Sequence, residues 1–211
     1  MVTESHPFTR AVSAGIFVDV GTRDESPRKA GMTHFLEHLV FKGTRHRSAF
    51  DLARVLDAVG GDLNAYTTRE YTCFHATSLK EHLTLSLDVL TDLVTSATLS
   101  REDFLKEREV ILQEIQMSKD SLEEYILDVF LEKAFAGQAL ATPILGTEET
   151  LGQLKRSDIV DHYRGNFRGP HMIVSVAGPV EHDQVVDLVV GGDGEAPAAG
   201  TDEEGRAAQG P

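Results

Sequence analysis

Residues 30–44 read AGMTHFLEHLVFKGT, and this stretch most restricts how the chain can fold. As a helix ended by Gly43 it is apolar nearly all round, because Met32, Phe35, Leu36, Leu39, Val40 and Phe41 are spread over every side. Such a helix must be enclosed by other elements rather than lie on a surface. Yet it carries His34, Glu37 and His38, spaced i, i+3 and i+4, which share one face. Little solvent-facing surface is left for them. Buried without partners they would cost several kcal/mol, whereas a divalent cation would compensate both imidazoles at once.

The elements that could enclose this helix can be read from periodicity and capping signals. AVSAGIFVDVGT, from Ala11, is a β-branched run stopped by Gly21 and suits a strand buried on at least one face. Ser48 with Asp51 opens a helix to about Val59, terminated by Gly60 and Gly61. Leu63–Thr67 and Tyr71–Thr77 flank a polar turn as a hairpin. Ser78 with Glu81, Ser100 with Asp103 and Ser121 with Glu124 predict helices over 82–97, 101–118 and 122–135. Helices near 148–155 and 158–164 and a strand over 171–178 follow, and EHDQVVDLVV could begin one more helix. The order of strand, helices, hairpin, helices and strand predicts an α+β fold, a mostly antiparallel sheet with helices packed against it.

The chain has 211 residues and a formal net charge of −14, enough for one sizeable core and unfavourable for binding nucleic acid or an anionic membrane surface. A basic or unstructured polypeptide is the more natural partner. Cys73 is the sole cysteine, so no internal disulfide forms; this and the absence of a signal or membrane-spanning run lead to the expectation of a cytoplasmic protein. One domain is expected over 1–190. Residues 191–211, GGDGEAPAAGTDEEGRAAQGP, have almost no core-forming side chains and are expected to be a disordered acidic tail.

H-x-x-E-H is the pattern of inverted zincins, in which both histidines bind Zn²⁺ and the intervening glutamate is the general base. A catalytic zinc needs a third protein ligand and an open position for water. On the helix 101–118, Glu107 and Glu114 are two turns apart and interrupt an apolar line made with Val110, Ile111 and Met117. Glu102, Glu109 and Gln113 lie on the opposite, wet face. Either Glu107 or Glu114 could supply the ligand on this reading. The remaining seven histidines, His6, His46, His75, His82, His162, His171 and His182, show no metal spacing, and His6 is expected in a frayed terminus.

HFLEHLVFKGT, GGDLNAYTTREYT and EREVILQEI, in that order, resemble the pitrilysin, insulysin and mitochondrial processing peptidase family, especially its bacterial processing-peptidase-like members. The likeness runs from about Thr9 to Val180. It implies a zinc endopeptidase half-domain with His34, His38 and Glu114 as ligands, the last 76 residues beyond the second histidine. It further implies Glu37 as the catalytic base and Glu107 as a second acid orienting a ligand. Asn64 and Ala65 match an edge strand to which an extended peptide substrate adds. A non-catalytic scaffold subunit of the same family is the alternative that the resemblance also allows, as is a metal-binding module without turnover. Family members enclose substrates between two homologous halves, so self-association or a partner half is expected. The family also has a strand before the one at Ala11, and none is expected here.

Overall fold

The computed structural model describes residues 1–191; the tail expected to be disordered lies, apart from Gly191, outside the described residues. Five strands form one sheet: β1 (Val2–Ser5), β2 (Ala11–Val18), β3 (Asp62–Thr67), β4 (Thr72–Leu79) and β5 (Met172–Gly178). Their order is β1-β5-β2-β4-β3, antiparallel throughout except that β1 runs parallel to β5. The strand expected to be missing before Ala11 is therefore present as β1. His6 is not frayed either, since its amide donates to the Gly178 carbonyl at 2.7 Å. MVTESHPF has too little alternating apolar character to read as a strand. It is an edge strand whose residues are mostly exposed, held by backbone pairing rather than burial.

The sheet is covered on one face. Val12, Ala14, Ile16 and Val18 of β2, with Phe74 and Ala76 of β4 and Val176 of β5, point into the core, as strict alternation requires. Ser13, Thr77 and Ile173 point the other way and are exposed. Eight α-helices lie among the described residues: α1 (Met32–Val40), α2 (Ala49–Val55), α3 (Leu83–Ser96), α4 (Arg101–Asp120), α5 (Leu122–Ala134), α6 (Glu148–Gln153), α7 (Arg156–Asn166) and α8 (His182–Gly191). α3 lies against β2 and β4, and α1 is enclosed by β3, α4 and α7. Phe35, Leu36, Leu39 and Val40 of α1 are fully buried, so its all-round apolar character is used by neighbours on several sides.

Two of the expected caps form and two do not. The Ser48 and Ser100 side chains each accept from the backbone N–H of the residue three ahead, Asp51 and Asp103. Ser78 instead lies within β4, where its hydroxyl pairs with Ser86 at 2.9 Å inside the core; a 3₁₀ turn, Lys80–His82, then leads into α3 without a side-chain cap. Ser121 ends α4 and starts α5 at once, and its own side chain makes no capping bond. A cap motif reports local competence only, and tertiary packing took the Ser78 hydroxyl elsewhere.

Candidate metal centre

α1 turns His34, Glu37 and His38 toward α4 and the end of β3. From α4, Glu114 reaches in between the two imidazoles. Its Oε1 is 3.9 Å from His34 Nε2 and its Oε2 is 3.5 Å from His38 Nε2. One donor atom from each of His34, His38 and Glu114 lies within 4.8 Å of the others, and the two imidazole centroids are 4.6 Å apart. Glu107 sits deeper on the same helix. Its Oε2 is 3.2 Å from His38 Nδ1 and its Oε1 is 2.9 Å from Lys42 Nζ. A carboxylate accepting from Nδ1–H leaves the Nε2 lone pair of His38 directed at Glu114. The two acids that the helical pattern left equivalent are thus distinguished by what they touch.

Burial sets the charge states. Desolvation, aided by the neighbouring His38, lowers the His34 pKa to about 3, so its imidazole is neutral, as a metal ligand must be. Desolvation raises the Glu37 carboxyl above its ordinary value; the Thr67 hydroxyl and backbone amide and His38 act in the opposite direction, and Glu114 adds to the rise. The Thr67 hydroxyl donates to Glu37 Oε2 at 2.5 Å.

The residues fit a metal ion. His34 Nδ1 and Glu114 Oε2 are buried with no hydrogen-bond partner among the described residues. A carboxylate oxygen held without a donor beside two imidazoles is a costly arrangement unless a cation completes it. Two imidazole nitrogens and one carboxylate oxygen are one of the donor sets of catalytic zinc sites.

Asn64 and Ala65 lie outside this cluster, on the exposed edge strand β3 whose last residue is Thr67. Asn64 is exposed and its side-chain oxygen accepts from the Ala65 amide at 2.8 Å. Sequence reasoning missed Thr67, Lys42 and Glu25. Thr67 and Lys42 are contiguous with the motifs already singled out but have no periodic signal of their own. Glu25, in a loop, is buried and accepts from the Gly31 and Thr33 amides at 2.8 and 2.5 Å, thereby satisfying the first turn of α1. Two histidines expected to be bland also have buried partners: His46 Nδ1 is 2.8 Å from Asp92, and His162 Nε2 is 3.1 Å from the Thr33 hydroxyl.

Known proteins are similar to this chain in sequence and in fold. The chain is 44% identical over 189 residues to an uncharacterized zinc protease of Streptomyces coelicolor, covering 90% of this chain and 41% of that one. It is 36% identical over 176 residues to the human mitochondrial-processing peptidase subunit beta, covering 83% and 36% of the two chains. Among solved structures, a protease from Helicobacter pylori superposes with a TM-score of 0.85 at 24% identity, over 93% of this chain and 48% of that one. Pitrilysin superposes with a TM-score of 0.81 at 20% identity, over 98% and 22%. The chain spans less than half the length of each of these relatives. The sequence pattern of insulinase, peptidase family M16, matches residues 1–148, and the chain belongs to that family.

Proposed function

We propose that this chain is the metal-bearing half of a zinc-dependent endopeptidase that hydrolyses peptides or flexible polypeptide segments. The observation that carries the reading is the convergence of His34, His38 and Glu114 around an unsatisfied, buried carboxylate oxygen. These three residues would hold the ion. When bound, zinc supplies Lewis acidity, lowering the pKa of water toward about 7 and polarising a peptide carbonyl.

The chain's own residues account for the rest. Glu37 takes the proton of the attacking water and passes it to the leaving amine, a role suited to a carboxyl whose pKa burial has raised. Glu107 holds His38 through Nδ1 and is itself held by Lys42, so the ring is fixed before substrate arrives. Asn64 and Ala65 lie on an open sheet edge where an extended peptide can pair as a further strand. A homologous second half, as a second copy or a separate partner, would close over this site.

The test is zinc analysis combined with cleavage of a quenched fluorescent peptide. Wild type is expected to bind one Zn²⁺ per chain and a His34→Ala/His38→Ala double variant none. Glu37→Gln should keep the zinc and lose turnover, because it removes the base and leaves the ligands. Equal zinc content in wild type and the double variant would end the metal assignment. Wild-type turnover in Glu37→Gln would end the mechanism.

A further inference from the structure

Thr67 is the last residue of β3 and only 8% exposed, with its hydroxyl donating to Glu37 Oε2. Its backbone has a separate direction. Thr68 N–H donates to the Tyr71 carbonyl at 2.8 Å, which makes 68 and 71 a hydrogen-bonded pair of the β3–β4 ladder. The adjoining pair, Thr67 and Thr72, is then of the non-hydrogen-bonded kind, and the Thr67 N–H and C=O point away from β4, to the edge side of the strand. One residue therefore keeps its backbone groups on the open edge and turns its hydroxyl to the metal-centre helix.

A carboxylate on a flexible glutamate stem can turn either oxygen toward a water. We propose that Thr67 is a positioning residue for the peptidase reaction proposed above, on which this inference rests: its hydroxyl occupies Glu37 Oε2 and thereby presents Oε1 to the proton of the attacking water. In the reaction the proton is received on Oε1 and then given to the leaving amine, while the Thr67 O–H bond to Oε2 persists unchanged. Because Thr67 belongs to the strand on which the peptide would pair, alignment of the substrate and alignment of the base share one anchor. A buried threonine satisfying its hydroxyl would need only some acceptor; here the acceptor is the one side chain assigned as base.

Thr67→Val removes the hydroxyl at nearly constant shape, and Thr67→Ser keeps it. In the zinc-loaded chain, Thr67→Val is expected to lower kcat about 10- to 100-fold, with KM and zinc content unchanged and Tm lower by only a few degrees. Thr67→Ser should stay within about threefold of wild type. A second readout does not use activity. In zinc-free protein carrying ¹³C-labelled glutamate carboxyls, the Glu37 resonance, assigned by its loss in Glu37→Gln, should move in Thr67→Val and stay in Thr67→Ser at fixed pH. Wild-type kcat in Thr67→Val, or an unmoved Glu37 resonance, would overturn the positioning role while leaving the peptidase reading intact. A parallel fall in Tm and zinc content that serine fails to rescue would reduce Thr67 to a packing residue. A wild-type chain that binds zinc yet cleaves no peptide, either alone or with a homologous second half added, would overturn the peptidase reading itself, and the positioning role with it.

Discussion

Two glutamates seven residues apart on α4 acquire different chemistry from their neighbours. Glu114 puts an oxygen without a donor between two imidazoles, and Glu107 is occupied by His38 Nδ1 on one side and Lys42 on the other. Replacing Glu114 with glutamine would remove the charge and exchange one of its two oxygens for an amide nitrogen that cannot ligate. Glu107→Gln retains an acceptor for His38 but leaves the Lys42 ammonium without its counter-charge. Zinc affinity measured by chelator competition should therefore fall about 10- to 100-fold in Glu107→Gln, the range for a residue that orients a ligand, and further in Glu114→Gln. A larger loss in Glu107→Gln than in Glu114→Gln would show that the acids had been assigned the wrong way round.

The helix α1 is placed by its N-terminus. Gly31 adopts φ +89°, and a Cβ there would lie 2.6 Å from the Leu145 carbonyl oxygen. Gly146 approaches from the other side, with its own absent Cβ directed at the Ala30 carbonyl. Glu25 closes the arrangement by binding the Gly31 and Thr33 amides, and burial raises its carboxyl to about 7. Since His34 follows within one turn, displacement here moves a metal ligand. Gly60 offers the internal comparison, with φ +72° but nothing within 4 Å of the place a methyl group would take. Gly60→Ala should cost about 1 kcal/mol, the left-handed conformation alone, and lower Tm by about 2–4 °C. Gly31→Ala adds a backbone collision and should cost at least about 3 kcal/mol, with Tm lower by about 6 °C or more and weakened zinc binding. Similar Tm values for the two variants would show that the close approach of residues 31 and 145 is not maintained in solution.

At the scale of the molecule, α5 presents apolar residues that the other described residues do not cover. Leu122, Ile126 and Phe130 recur every four residues and are 81, 63 and 60% exposed, and Met117 at the end of α4 is 72% exposed. An apolar stripe of this kind marks an association surface more often than a solvated one. With less than half the length of its relatives present, a second copy is the available partner in a solution of this chain. Sedimentation velocity should show concentration-dependent species heavier than the 23.1 kDa monomer. An Ile126→Glu/Phe130→Glu variant should shift them to monomer without lowering Tm, because neither side chain contributes much to the core. A wild-type chain that stays monomeric at high concentration would refute association through α5.

Local pattern alone determined the enclosed helix with His34, Glu37 and His38 on one face, the β3–β4 hairpin, the Ser48 and Ser100 caps and the α+β order. Each of these depends on interactions within a few residues, which periodicity and capping report directly. The resemblance to a family selected Glu114 over Glu107; the helical pattern could not, because two residues two turns apart on one face are equivalent until a second helix packs against them. Only the tertiary structure decided what each acid touches: His38 Nδ1 and Lys42 for Glu107, and both imidazoles for Glu114. It also made β1 a strand, through backbone pairing with β5 far along the chain, and diverted the Ser78 hydroxyl to Ser86. Glu25 and Thr67 were illegible for the same reason. Their partners lie on another element, and a hydrogen bond between side chain and distant backbone or carboxylate leaves no spacing in the sequence to read.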